Sequence, residues 1–259
     1  MDEALPRPAR YGKLYLIGAG PGDPELLTLK AVRCLQACDV VLHDRLVNPE
    51  ILKFAKTGAQ IINVGKHEGE QEHTQSHILD LIQVHARKGK VIGRLKGGDP
   101  LVFGRGAEEW AFALKHGIEV ELVPGVSSAI GVPGLVGIPL TYRRVSQSFA
   151  VITGHCHEGT AQEWQRYAAV DTLVILMGVR NRAFIAASLI AAGRSRSEPV
   201  AFVQRGTLAG EKVVESTLGA VAEGTVEAHS PAVFVIGEVV NVRSRLLAIS
   251  GIQQPPGRV

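Results

Sequence analysis

The feature that most constrains the fold is a rhythm of short apolar runs, each stopping at a glycine, proline or acidic turn and giving way to helical periodicity. Lys13–Gly18 is the first such run, and residues 39–43, 60–64, 90–95 and Glu119–Val123 repeat it. Between them, 49–55, 74–87 and 105–116 read as helices. In 74–87 the spacing puts Ile78, Leu81, Ile82 and His85 on one side. Asp23 stands where it can cap a first helix running through Leu26, Leu27, Ala31 and Leu35. Strands alternating with helices predict a mostly parallel sheet covered on both faces.

The alternation restarts after a glycine- and proline-rich stretch, 131–139, and a polar segment, 141–147. A domain junction is expected there. In the second series Phe149–Thr153, 172–177, Pro199–Gln204, Lys212–Thr217 and Ala232–Ile236 read as strands, and 161–168, 182–192 and 218–223 as helices. Residues 204–212 look like a turn, so the strands flanking it are expected to pair antiparallel. The expectation is an α/β protein of two α/β domains: 13–140 with the glycine-rich loops and 141–245 after the junction, with a disordered lead-in at 1–12 and a tail at 246–259.

Composition excludes several function classes. With 46% hydrophobic and 20% charged residues the chain reads as an ordinary soluble globular protein. Aromatics at 5% argue against stacking on single-stranded nucleic acid, and a net charge of +3 is too small to imply a nucleic-acid partner. No apolar run reaches the roughly 18 residues of a membrane span, and residues 1–10 have no apolar signal core. Three cysteines, an odd count, point away from a disulfide framework and toward a reduced, cytoplasmic setting. Cys34 and Cys38, one helical turn apart, read as small buried residues. Neither His73 with His77 nor His155-Cys156-His157 has an evident further ligand, so no metal is expected.

Three glycine-rich loops follow strands. Gly18-x-Gly20-x-Gly22 invites a dinucleotide reading, but Asp23 stands where that fingerprint has its third glycine, and Pro21 removes an N–H that a phosphate cradle would use. An NAD(P) site is therefore disfavoured. Gly97-Gly98-Asp99-Pro100 and Pro124-Gly125-Val126-Ser127-Ser128 end the fourth and fifth strands. In an open parallel sheet such ends share one edge, where ligands bind and glycine allows close main-chain approach. Asp99 can accept hydrogen bonds from a ribose or amino group, or can cap a turn.

The strings GAGPGDPELLTLKA (18–31), DRLV (44–47), RLKGGDPLVFGRGAEE (94–109), VPGVSSA (123–129) and GIPLTYR (137–143) resemble those of the uroporphyrinogen-III C-methyltransferases, a branch of the tetrapyrrole methylases. The likeness runs from about Lys13 to Val240. It implies two α/β domains with the active site in the cleft between them, a homodimer, S-adenosyl-L-methionine as cofactor (S-adenosyl-L-homocysteine as product), and methylation of uroporphyrinogen III at C2 and C7 to precorrin-2, for sirohaem or cobalamin-type tetrapyrroles. By composition and hydropathy, no nucleic-acid or membrane partner is expected. Relatives that also carry a dehydrogenase–chelatase domain are longer, so methyl transfer alone is expected.

Carried over by motif, the cofactor contacts are Pro21, Gly97, Gly98, Asp99, Ser127 and Ser128, then Met177, Gly206, Thr207 and Ala232. Core packing is an equal alternative for Met177. Substrate carboxylates fall to Arg45, Arg105 and Arg143, since guanidinium binds carboxylate bidentately. Asp44, Arg105 and Glu108 are the catalytic candidates, with Asp44 and Glu108 the groups to take a proton or to orient one that does. Glu108 lies three residues beyond Arg105, on the same helix face. Arg105 opens a helix, where a cation works against the dipole, which points to a purpose other than helix stability. Two motifs depart from the family pattern: His43 stands where relatives often have tyrosine, and Tyr142 and Arg144 flank Arg143.

Overall fold

The computed structural model describes residues 11–65, 71–155 and 163–250, apart from the side chains of 71–74 and 250. The chain forms two compact units that divide between Ser127 and Ser128.

The first unit is built on five strands: β1 (Lys13–Gly18), β2 (Val40–His43), β3 (Gln60–Asn63), β4 (Ile92–Lys96) and β5 (Glu119–Val123). Their order is β3-β2-β4-β1-β5, and every pair is parallel. Helices α1 (Leu29–Ala37), α2 (Pro49–Leu52), α3 (Gln71–Arg87) and α4 (Gly106–Lys115) make the crossovers. Because side chains alternate along a strand, the sheet buries two distinct faces. Leu14, Leu16, Val40, Leu42 and Ile92 pack with Ile78 and Ile82 of α3 and Ala113 of α4. Ile17, Val41, Leu95 and Val123 pack on the other face with Ala31 and Leu35 of α1 and Ile51 of α2. Cys34 and Cys38 are buried on that second face, and burial pushes the Cys38 thiol up to about 12.

The second unit holds β6 (Phe149–Thr153), β7 (Thr172–Leu176), β8 (Pro199–Gln204), β9 (Lys212–Thr217) and β10 (Ala232–Ile236), in the order β6-β7-β10-β8-β9. This sheet is mixed. Only β6 and β7 run parallel; β10 is antiparallel to both β7 and β8, and β8 to β9. The β8–β9 pairing across the 204–212 turn is the antiparallel one expected from the sequence. Helices α6 (Arg182–Ala191) and α7 (Leu218–Ala222) cover one face, with Phe202 and Phe234 stacked at 4.1 Å between directly opposed positions of β8 and β10. Helices α5 (Ser128–Leu135) and α8 (Val239–Ser250) lie on the side of the other cluster, in which Ala129, Val132, Val239 and Val240 meet Val174, Ala201 and Val235.

Several boundaries differ from the sequence reading, each for a local reason. Asp23 caps only a short 3-10 turn, Pro24–Leu26, while α1 starts at Leu29 with the Thr28 hydroxyl accepting from Ala31 N. Residues 131–135 of the stretch where a junction was expected belong to α5, so the units divide ahead of it and not near 140. Pro133 forfeits one helical hydrogen bond, but Ala129 and Val132 keep the segment packed on the second sheet. Residues 246–250, placed in a tail, finish α8. Tyr11 and Gly12, placed in the lead-in, belong to the unit: Gly12 N donates to Ala86 O at 2.8 Å. Of the helix expected at 161–168, a 3-10 turn at Trp164–Tyr167 is present; 161 and 162 lie outside the described residues, as do 1–10, Cys156 and His157.

Candidate functional site

In the first unit the neighbours β4, β1 and β5 deliver the three glycine loops side by side at the carboxyl edge. The loops join main chain to main chain. Ala19 N donates to Lys96 O at 2.7 Å, and Gly20 and Gly98 exchange both hydrogen bonds at 3.1 and 2.7 Å. A Cβ on Gly18 would stand 2.5 Å from Gly125 N, and one on Gly125 would stand 2.3 Å from Gly98 O. No side chain fits there, which is why the sequence keeps glycine at these positions. Gly97 is different: it is exposed, and a Cβ there would meet nothing within 4 Å. The fold does not demand a glycine at 97.

Pro21 sits half-buried between Gly20 and Gly22, both at positive φ. Asp99 is committed to the loops themselves. Its Oδ1 accepts from Leu101 N at 2.9 Å and its Oδ2 from Gly125 N at 3.1 Å, so it clamps the second loop to the third. Of its two sequence readings, the structural one is present. Ser127 closes the first unit and Ser128 opens α5 in the second.

Further along the same edge, Asp44 and Arg45 follow the end of β2. The Asp44 carboxylate accepts from Arg94 Nη2 at 2.5 Å, and its own N–H donates to Leu95 O. The Arg45 side chain is exposed, while its main chain is pressed against Gly65, where a Cβ would lie 2.6 Å from Arg45 N. Asn48 ties this turn to the first glycine loop by donating to Gly22 O at 2.9 Å. Arg105 is the N-cap of α4, in the left-handed region at φ 58, and makes two hydrogen bonds to Glu108 at 2.9 and 2.6 Å. The Glu108 carboxylate thus offsets the unfavourable dipole placement, and it is the group that holds Arg105.

The second unit gathers its candidates at one edge of the mixed sheet. Ala232 pairs with Gln204, the last residue of β8, and Arg205 N donates to Pro231 O at 2.9 Å. Met177 follows Leu176, the last residue of β7, at the end of the sheet where β10 begins. Gly206 is forced by packing, since a Cβ would lie 2.4 Å from Val132 Cγ1. Met177 is exposed, contrary to a core-packing role. Arg143 sits in an exposed turn closed by Val145 N and Ser146 N on Tyr142 O.

Backbone strain marks the same places. Among the described residues six non-glycines have positive φ: Phe103, Arg105, Arg144, Met177, Arg205 and Thr207. Each costs about 1–3 kcal/mol and persists only where the surroundings impose it, as at ligand sites. Three are site candidates from the sequence, and the others stand within two residues of one.

The sequence reading missed one group altogether. Arg94 and Lys96 on β4 and Glu109 on α4 are all buried. Glu109 Oε1 accepts from Arg94 Nε at 3.0 Å, Lys96 Nζ at 3.0 Å and, more distantly, Gln75 Nε2 at 3.5 Å. Arg94 Nη1 also reaches the Leu42 and Leu95 carbonyls. Burial, joined by the nearby Arg94 charge, pushes the Lys96 ammonium down. Burial opposes the Arg94 charge too, but the Asp44 and Glu109 carboxylates outweigh it. The signal lay in the spacing: two cations at alternate positions of an apolar strand, and a glutamate on the helix stripe shared with Gly106 and Ala113.

As to a metal, no group of three or more candidate ligand side chains occurs among the described residues. No helix among them is long and apolar enough to cross a membrane.

Comparison with known proteins gives a consistent family. The profile described as Tetrapyrrole (Corrin/Porphyrin) Methylases matches residues 13–222. A uroporphyrinogen-III C-methyltransferase of Methanocaldococcus jannaschii is 44% identical over 89% of this chain and 98% of its own length. Siroheme synthase 2 of Aeromonas hydrophila subsp. hydrophila is 45% identical over 91% of this chain, which spans 50% of that longer protein. The crystal structure of uroporphyrin-III C-methyl transferase from Thermus thermophilus, complexed with S-adenyl homocysteine, is 46% identical, with a TM-score of 0.80 over 89% of this chain and 100% of that one.

Proposed function

The chain belongs to the tetrapyrrole methylase family, and from that premise we propose that it is an S-adenosyl-L-methionine-dependent C-methyltransferase that converts uroporphyrinogen III to precorrin-2 by methylation at C2 and C7. The observation that carries this reading is the match to a uroporphyrinogen-III C-methyltransferase over 98% of that relative's length.

The residues present fit such a cofactor. Gly97 leaves open space beside a main-chain floor made by Gly18, Gly98 and Gly125. Pro21 keeps one wall poor in donors, which suits a sulfonium better than a phosphate. On this reading Pro21, Gly97, Gly98, Ser127, Ser128, Met177, Gly206, Thr207 and Ala232 hold it, and Asp99 does so by fixing the loops. When bound, the cofactor supplies the methyl group. The protein's own part is to hold the acceptor in line and keep water out.

Arg45, Arg105 and Arg143 are proposed to take the acetate and propionate carboxylates of the macrocycle. Leu101, Val102 and Phe103, exposed just before Arg105, offer an apolar surface for the ring. Methylation leaves a proton to be removed, and Asp44, at the end of β2 and half-exposed, is the proposed acceptor. Glu108 serves by orienting Arg105. No metal is required for this chemistry, and a homodimer is the proposed assembly.

Anaerobic incubation with uroporphyrinogen III and methyl-labelled cofactor tests the reading. Two labelled methyl groups per macrocycle are expected. Label transfer to a different precorrin, with none to uroporphyrinogen III, overturns the substrate assignment.

A further inference from the structure

Asp44 is the exposed end of a charged row that runs into the core. Arg94 links it to Glu109, which is fully buried on α4, and Glu109 also receives Lys96. Two cations and two carboxylates balance. Arg94 stands in register between Leu16 of β1 and Leu42 of β2, both buried and apolar. Apolar side chains of similar volume generally serve stability as well as or better than buried ion pairs. Stability alone therefore does not account for the row, and its one accessible member is the carboxylate at the sheet edge.

We infer that Glu109 is a positioning residue: it acts through Arg94, orienting the guanidinium so that Nη2 meets the Asp44 carboxylate, and it neutralises the second buried cation, Lys96, that would otherwise weaken Asp44 as a base. The inference rests on the reading of Asp44 as proton acceptor. Its geometry is specific. Arg94 Nε is fixed by Glu109 and Nη1 by two carbonyls, which leaves Nη2 for Asp44. The charged groups around Asp44 among the described residues are Arg94 from β4 and, one step behind it, Lys96 from β4 and Glu109 from α4, with His43 and Arg45 beside it in the chain. Without the Glu109 carboxylate, Arg94 Nε and Lys96 Nζ lose their shared acceptor, and the guanidinium is no longer held with Nη2 on Asp44.

The test follows the Asp44 carboxyl signal by carbon NMR in aspartate-labelled protein, assigned by its loss in Asp44→Asn. Glu109→Gln, which keeps the shape, is expected to lower the Asp44 titration midpoint. Lys96→Met is expected to raise it, and it gives the answer by itself should Glu109→Gln fail to fold. A midpoint that stays put, or moves the other way, overturns the inference. In turnover, Glu109→Gln is expected to lower kcat roughly tenfold with both KM values unchanged, to move the acid limb of the rate profile to lower pH, and to be partly rescued by Glu109→Asp. A lower kcat with an unmoved acid limb makes Glu109 merely structural and overturns the inference as well. If the unaltered protein methylates nothing, the proposed function falls, while the carboxyl titration still decides the coupling.

Discussion

The two units solve the same packing problem with different materials. The first sheet is parallel throughout and admits Arg94, Lys96 and Glu109 to one of its buried faces. The second is mixed and puts Phe202 against Phe234 at its centre. Aromatic burial stabilises through area and stacking and tolerates no gap. A buried charge cluster contributes little net stability but punishes the loss of one member, because a charge is left unpaired. The lesson is that a core can be organised around what it must hold at its edge as well as around what it must exclude.

The sharpest way to break this comparison is to remove one member from each core. Phe234→Ala should lower stability by about 3–5 kcal/mol, read as a denaturant midpoint. Arg94→Met should cost up to about 3–5 kcal/mol, because Asp44 loses its partner and Glu109 is left with Lys96 alone. If Arg94→Met is neutral, the two cores do not differ in kind.

A smaller effect separates two glycines of one edge. Gly125→Ala, with its Cβ driven to 2.3 Å from Gly98 O, should destabilise by about 1–3 kcal/mol. Gly97→Ala should change stability by less than about 0.5 kcal/mol yet weaken binding of S-adenosyl-L-homocysteine, measured by calorimetry. Unchanged affinity would remove Gly97 from the cofactor site.

Smaller again is the exposed arginine Arg45. Arg45→Ala should leave the midpoint alone and raise the macrocycle KM roughly tenfold, equivalent to about 1.4 kcal/mol. An unaltered KM would take Arg45 out of the substrate site.

The smallest effect lies on the surface. Hydrogen bonds from Lys13 and Lys30 hold the Glu121 carboxyl down at about 2, from an ordinary value of 4.5. A lowered carboxyl contributes stability that is complete above the unfolded value and disappears as pH falls through the folded one. Glu121→Gln should therefore reduce the thermal midpoint at pH 6 and hardly alter it near pH 2. An equal drop at both would mean that packing, not charge, is what was lost.

All ten strands were legible because each is a short apolar run bounded by a turn, and β1, β5, β6, β8, β9 and β10 keep the limits read from sequence. Helix α5 was illegible because Gly131, Pro133 and Gly134 break helical propensity, and the packing of Ala129 and Val132 overrides it. Helix α8 was missed because Val239, Val240 and Val242 have strand composition; it forms as the chain packs back on β8 and β10. Within the candidate site, the convergence of the glycine loops was readable because each follows a strand of a parallel sheet. The commitment of Asp99 to two main-chain N–H groups was not, since it depends on which loop lies next to which. The buried row was hidden because a cation at every second strand position usually marks the solvent face. Its partner, Glu109, lies on a helix that only the tertiary fold brings over β4.

The main-chain junction of Gly18, Gly98 and Gly125 has a dynamic consequence. The amides of Ala19, Gly20, Gly98 and Gly125 are all bonded within it. Their exchange with deuterated solvent thus requires the loops to part, which drags on β1, β4 and β5 together. These surface loops should exchange as slowly as the interior strands, on the timescale of opening the whole sheet. The floor of the site then belongs to the most durable cooperative unit of the molecule, and whatever binds above it meets a surface already set before it arrives.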